Sequence, residues 1–275
     1  MAQKRDNRPI GVFDSGLGGL TAVTHLAELL PEERFVYFGD TARTPYGSKA
    51  VDTIQKFAVE IADFLLKQDA KMIVIACNTV SATCLDLLRE TFPEVPILGI
   101  IEPAARKAAL EYGNKRIGVI GTAVTVASGQ YERSIQSCAP HCPVFSMACP
   151  LLVPAIEEGL ADTPMMEQLV GHYMDDFVRE NDPEVLVLGC THYPLVEGII
   201  RKRYPGLTIL NPSETVAQEV REVLEQRNLC AEGNEQENRF YASDLSESFV
   251  RMAQSILPSR KADIRLKKFE DSSED

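Results

Sequence analysis

The sequence predicts an α/β fold of two similar lobes, each a mainly parallel sheet flanked by helices. Three observations predict it. Short apolar runs alternate with longer amphipathic ones, the pattern of parallel strands joined by helical crossovers. The pattern begins again near residue 117 and repeats some of its own residues. The chain is 275 residues long, 45% hydrophobic and 25% charged, which supplies enough apolar material for two cores without staples.

The elements follow in order. Ile10–Phe13 reads as the first strand, and Gly16, Gly18 and Gly19 punctuate its end. Leu20, Val23, Ala27 and Leu30 then recur at helical spacing. Phe35–Phe38 is a second strand, and Ile54, Phe57, Ala58, Ile61 and Leu65 mark a second helix. Met72–Ala76 is a third strand, and Val80, Thr83, Cys84, Leu87 and Leu88 line the next helix. A fourth strand is expected over Ile97–Ile101, between Pro96 and Pro103. The second series has strands at Ile117–Ile120, Val144–Ala148, Val185–Leu188 and Leu207–Leu210. Helices are expected after Thr125, over about 164–180, about 213–226 and about 246–256. One lobe is expected from residues 1–101 with 212–268, the other from 102–211. The stretch 269–275 holds four acidic residues and two serines and is expected to be a disordered tail.

The second half echoes the first. Met72-Ile-Val-Ile-Ala-Cys77-Asn-Thr79 aligns without a gap to Val185-Leu-Val-Leu-Gly-Cys190-Thr-His192, and Ile10-Gly-Val-Phe13 matches Ile117-Gly-Val-Ile120. Two buried strands resemble each other by chance often enough that identity this low does not establish a duplication.

Charge and composition exclude several classes. With 28 basic and 40 acidic residues the net charge is −12, which disfavours phosphate backbones, so no nucleic-acid partner is expected. No apolar run approaches the ~20 residues that cross a bilayer, and Met1 to Pro9 is polar, unlike a signal peptide. The expectation is a cytoplasmic protein with no membrane association. Seven cysteines, an odd number in a chain of this size, argue against a disulfide framework.

In open α/β sheets, ligands collect beyond the carboxyl ends of the strands. Three strand ends there carry reactive or polar groups. Phe13-Asp14-Ser15-Gly16-Leu17-Gly18-Gly19 lacks both the G-x-G-x-x-G spacing and a Walker lysine, so it does not read as a nucleotide loop. Ala76-Cys77-Asn78-Thr79 and Gly189-Cys190-Thr191-His192 each place a thiol between an apolar strand and an expected helix start, where the helix dipole would lower its pKa. Cys84 falls on an apolar helical stripe and reads as core, and Cys230 as a loop or surface thiol. Cys77 and Cys190 lack the C-x-x-C spacing of redox dithiols, and Cys138, His141, Cys142 and Cys149 fit no common zinc pattern, so no metal is expected. A third option for two opposed thiols is proton transfer at one carbon from two sides, which needs a base on one face and an acid on the other.

Asp14-Ser15-Gly16-Leu17-Gly18-Gly19, Pro45-Tyr46-Gly47, Ala76-Cys77-Asn78-Thr79 and Gly189-Cys190-Thr191-His192-Tyr193-Pro194 together resemble the motifs of the glutamate racemases in the aspartate/glutamate racemase superfamily. The resemblance implies a cofactor-independent isomerase acting on glutamate and supplying D-glutamate for peptidoglycan. It implies an active site in the cleft between two α/β lobes, and a homodimer. By the same resemblance Cys77 deprotonates D-glutamate and Cys190 L-glutamate, Asp14 assists Cys77, and His192 assists Cys190. Ser15, Tyr46, Gly47, Asn78, Thr79 and Thr191 match substrate-binding positions. Glu157 matches a further acidic residue near the site, though Glu158 is adjacent.

The residues are compatible with that account. No lysine stands in a motif expected for a pyridoxal Schiff base, so that electron sink has no visible anchor. An anionic substrate on an acidic protein must rely on local donors: helix-start N–H groups, the hydroxyls of Ser15, Thr79 and Thr191, and the amide of Asn78. Arg43 reads as a solvated loop charge. Among the histidines, His192 alone follows a candidate thiol by two residues, close enough to stabilise thiolate or relay a proton. An aspartate-specific relative is the rival within the superfamily, and a two-lobed solute-binding module is the rival outside it.

Overall fold

The computed structural model describes residues 5–233, 237–246, 250, 253 and 264–269. The strands are β1 (Ile10–Asp14), β2 (Phe35–Gly39), β3 (Met72–Ile75), β4 (Ile97–Gly99), β5 (Ile117–Gly121), β6 (Val144–Ala148), β7 (Val185–Gly189), β8 (Thr208–Leu210), β9 (Arg239–Ala242) and β10 (Ile264–Leu266). The helices are α1 (Leu20–Leu29), α2 (Val51–Lys67), α3 (Asn78–Thr91), α4 (Ile101–Tyr112), α5 (Ala123–Ala127), α6 (Gln130–Cys138), α7 (Leu152–Glu157), α8 (Pro164–Asn181), α9 (Glu197–Arg203) and α10 (Pro212–Arg227).

Two sheets form, and every pairing in them is parallel. The first runs β10-β9-β2-β1-β3-β4 and the second β6-β5-β7-β8. The echo in the sequence has a spatial counterpart. The order β2-β1-β3-β4 recurs as β6-β5-β7-β8, and Ile10 pairs with Met72 as Ile117 pairs with Val185. The fold is thus α/β with two similar lobes.

Parallel sheets must be covered on both faces, and strand alternation assigns the covering. Ile10 and Val12 of β1 join one core with Leu20, Val23 and Leu26 of α1 and Val216, Val220 and Leu224 of α10. Phe13 points the other way, into a core with Ile54, Ile61 and Leu65 of α2 and Val80, Cys84 and Leu88 of α3. The first of these cores runs on through the alanines of α4 and through Tyr131 and Ile135 of α6 to Val119 and Val187 of the second sheet. The outer face of that sheet buries Ile120, Leu186 and Leu188 under α7, α8 and α9.

Several expectations need correction. β4 stops at Gly99, and α4 begins at Ile101, with Pro103 inside its first turn. A proline is tolerated there because the first-turn N–H groups have no intrahelical partner. α7, α9 and the strands β9 and β10 at one side of the first sheet are additional to the sequence reading. Of the helix expected over about 246–256, only residues 246, 250 and 253 are described, with Val250 and Ala253 helical. Phe269 does not belong to a loose tail: its ring stands 5.2 Å from that of Phe38. Residues 270–275 lie outside the described residues. No helix among the described residues is long and apolar enough to cross a membrane.

Candidate active site

The carboxyl ends of β1, β3, β5, β6 and β7 open onto one cavity of about 90 Å³, several times the ~10–15 Å³ that one water needs. Ser15, Tyr46, Gly47, Cys77, Asn78 and Thr79 line it from the side of the first sheet. Thr122, Cys149, Cys190, Thr191 and His192 line it from the side of the second.

Cys77 is the N-cap of α3, and its Sγ donates to Ser15 Oγ at 3.4 Å. Burial, and then the negative charge of Asp14, push its thiol up to about 12. The sequence reading expected the helix start to lower this pKa. Desolvation of a thiolate only 4% exposed overrides the dipole. Asp14 is fully buried beneath the cavity. It accepts from the Gly16 N–H at 3.0 Å and from the Thr191 hydroxyl at 3.3 Å, and burial raises its own pKa despite these bonds and the nearby His192.

Cys190 follows β7, but no α-helix starts behind it; a short 3₁₀ turn, Tyr193–Val196, does. Its partner is a side chain instead. Cys190 Sγ lies 3.9 Å from His192 Nδ1, and His192 Nε2 lies 3.1 Å from Glu157 Oε1. Burial by itself would lower the His192 pKa. The adjoining Cys190 sulfur and Glu157 carboxylate outweigh it and raise the value to about 10, so the ring is an imidazolium at neutral pH. Glu157, not the exposed Glu158, makes this contact. Tyr193, fully buried, donates to the carbonyls of Gly121 and Cys149 and pins the turn.

The glycine at position 18 is required by packing. A Cβ there would meet Thr191 Oγ1 at 2.3 Å and His192 Nδ1 at 2.9 Å, so the loop after β1 touches the turn after Cys190. Gly47 likewise packs against Thr122, where a Cβ would come within 2.6 Å.

Most polar groups of the cavity already have partners. Thr79 Oγ1 shares bonds with Thr122 Oγ1 and Thr125 Oγ1, and the Tyr46 hydroxyl donates to the buried carboxylate of Asp40. Asn78 is the exception. Its Oδ1 accepts from the Tyr131 hydroxyl at 2.6 Å, while its buried Nδ2 has no partner. An unsatisfied buried donor on a cavity wall is costly unless a ligand acceptor meets it.

Each residue that the resemblance assigns to the site therefore lines the cavity or, as with Asp14 and Glu157, contacts a residue that does. Thr122 and Cys149 were missed. The echo that pairs Ile10–Phe13 with Ile117–Ile120, carried two residues further, sets Thr122 opposite Ser15. Cys138 is exposed and Cys142 donates to the Lys115 carbonyl, so the cysteines near His141 disperse. Among the described residues no group of three or more His, Cys, Asp and Glu could hold a metal ion. Arg43 is not a solvated charge: its guanidinium pairs with Asp40 at 2.7 Å and Glu60 at 2.6 Å, behind the cavity wall.

Comparison with known proteins identifies the family. The model of the Asp/Glu/Hydantoin racemase family matches residues 20–220. A glutamate racemase of Thermus thermophilus is 48% identical over 82% of this chain and 83% of its own. Among solved structures, glutamate racemase from Francisella tularensis in complex with D-glutamate has a TM-score of 0.88 at 36% identity, covering 96% of this chain and 98% of that one. The Thermus thermophilus enzyme in complex with β-chloro-D-alanine has a TM-score of 0.84 at 41% identity, covering 97% and 99%. The chain belongs to the Asp/Glu/Hydantoin racemase family, on its glutamate racemase branch, and is an isomerase.

Proposed function

We propose that the enzyme interconverts L- and D-glutamate by removing a proton from one face of Cα and adding one to the other, with Cys190 and Cys77 as the two acid–base groups. One observation carries the reading: two thiols held by separate sheets line a single cavity. The D-glutamate bound by the Francisella relative supports the choice of substrate.

The two thiols have unlike surroundings: the His192 imidazolium stands 3.9 Å from the Cys190 sulfur. Cys77, pushed up to about 12, starts as the thiol. Cys190 thiolate takes the α-proton of L-glutamate, and the Cys77 thiol delivers its proton to the opposite face, giving D-glutamate. The reverse reaction runs from Cys77 thiolate and Cys190 thiol. Asp14 behind Cys77, and His192 with Glu157 behind Cys190, are the groups that tune these two states.

The carbanion-like transition state needs donors fixed in advance in a site that excludes water. The free Nδ2 of Asn78 is such a donor. The hydroxyls of Ser15, Thr79 and Thr191 and the backbone at Tyr46–Gly47 complete a polar wall around the substrate's charged groups. Cys149, Pro150, Val153 and Pro154 form an apolar wall.

The family resemblance adds independence from cofactors, supply of D-glutamate for peptidoglycan and a homodimer. The sequence pattern adds a cytoplasmic location and lobes made of residues 1–101 with 212–268 and of 102–211. The direct test is exchange of the α-hydrogen in deuterated water, followed by chiral analysis, with chelator present and no pyridoxal phosphate. Label entering both glutamate enantiomers as they interconvert is expected. Absence of exchange from both, or faster turnover of aspartate, would overturn the reading.

A further inference from the structure

The cavity wall formed by Thr44–Ser48 is held from behind by side chains that line no part of the cavity. Asp40, fully buried just past the end of β2, is the centre of this support. Its Oδ2 accepts from the Tyr46 hydroxyl and from Arg43 Nε at 2.7 Å, and its Oδ1 accepts from Ser243 Oγ at 2.7 Å. A buried carboxylate needs a compensating cation, and Arg43 supplies it. The guanidinium is itself fixed on three sides. Nη1 donates to Glu60 at 2.6 Å, the Phe57 ring lies 3.9 Å from the guanidinium carbon, and the Phe269 ring lies 5.0 Å from it. Ser243 also accepts from the Ala42 N–H at 2.8 Å, and Thr41 accepts from the Asp244 N–H while donating to the Asp244 carbonyl.

Residues that follow the last two strands of the first sheet, Ser243 and Asp244 after β9 and Phe269 after β10, thus hold the loop from behind. What the network fixes is the direction of Tyr46 and the approach of Gly47 to Thr122 across the cavity. We propose that Arg43 is a positioning residue for substrate binding. Clamped between Phe57 and Phe269, it holds Asp40 and through it the Tyr46–Gly47 wall in the arrangement that receives substrate. The proposal deepens the glutamate reading and rests on it for its kinetic test. The wall carries neither thiol, so it contacts ground state and transition state alike. Its disturbance belongs in KM more than in kcat.

The test compares wild type with Arg43→Ala, Arg43→Lys and Phe269→Ala in the full chain. Each protein is checked for folding by circular dichroism and assayed for glutamate racemisation. Arg43→Ala is expected to raise KM by about tenfold or more with kcat within about threefold of wild type. Phe269→Ala should shift KM in the same direction by less. Arg43→Lys should recover part of the loss, because it restores the charge but not the planar fork and the stacking. Hydrogen–deuterium exchange of residues 41–49 should quicken in Arg43→Ala with no substrate present, a readout that stands even if glutamate is not the substrate. Folded variants with unchanged KM, or an equal fall in kcat with KM unmoved, would overturn the proposal; so would unchanged loop exchange. Should Arg43→Ala not fold, Arg43→Lys and Phe269→Ala decide on the same two readouts.

Discussion

The hydroxyl of Thr191 reaches 3.3 Å to the carboxylate of Asp14, tying the turn that carries Cys190 to the strand end beneath Cys77. This bond spans 177 residues of sequence. It couples the surroundings of the two thiols, because Asp14 raises the Cys77 thiol and also feels the charge of His192. A change on one side of the cavity is therefore expected to be felt on the other.

The first expectation concerns the thiols themselves. Cys77→Ser and Cys190→Ser should each lower net interconversion by at least about 10²–10⁴-fold, the range for loss of a positioned acid–base group. Circular dichroism following L- and D-glutamate separately is the measurement. Near-normal racemisation in either variant would remove the two-thiol assignment.

Thiol reactivity should follow the local electrostatics. With Cys77 pushed up to about 12, its thiolate fraction at pH 8 is on the order of 10⁻⁴. Iodoacetamide should label exposed Cys138 first and Cys77 slowly, with the Cys77 rate climbing as pH rises. Mass spectrometry of timed digests reads the order. Equal labelling of both at pH 7.5 would contradict the burial argument.

His192 should make stability depend on pH in one direction. Its folded value, about 10, lies above the ~6.5 of an unperturbed imidazole. The folded state therefore keeps a proton that the unfolded chain loses between these values. The contribution is complete below about pH 6.5 and lost as pH rises through about 10. Urea unfolding of wild type and His192→Gln at pH 6.5, 8 and 10 should show the stability gap shrinking with pH. A gap that widens would reverse the sign.

Gly18→Ala tests the contact between the two halves. The added methyl would fall within 2.9 Å of both Thr191 Oγ1 and His192 Nδ1, so the turn must retreat. Overpacking of this kind costs roughly 1–3 kcal/mol. The expected outcome is a folded protein with kcat lowered at least about tenfold, since misplacing reacting groups by a fraction of an ångström is costly. Wild-type kcat in that variant would show that the close approach is unnecessary.

Lys71→Met separates stability from chemistry. Lys71 Nζ is buried 2.6 Å from Glu33 and also donates to the carbonyls of Asp6 and Leu229. It stands at the end of β3 opposite Cys77. Removing the cation leaves a buried carboxylate unpaired, a loss of about 3–5 kcal/mol. Chemical denaturation should show that loss, with KM and kcat of the folded fraction unchanged.

The central strands β1, β3, β5 and β7 could be read from the sequence because each is a short, mostly apolar run buried on both faces, as in Val185-Leu-Val-Leu. α4 was not legible. Its buried face is Ala104, Ala105, Ala108 and Ala109, side chains too small to give a strong periodic signal, and Pro103 reads as a stop. β9 and β10 were missed because Arg-Phe-Tyr-Ala and Ile-Arg-Leu mix polar and apolar residues. As additions at the open edge of the first sheet, they need no fully apolar run.

By itself the sequence determined where the reactive groups stand along the chain. Cys77 and Cys190 each end an apolar strand, polar residues follow, and the glycines permit close approach. These are local properties, written in patterns a few residues long. Only the tertiary structure decided that His192 reaches Glu157, that burial drives the Cys77 thiol up where a helix start would draw it down, and that Arg43 supports a wall instead of facing water. Desolvation and Coulomb interaction act through space, between residues that the chain keeps far apart and the fold brings together.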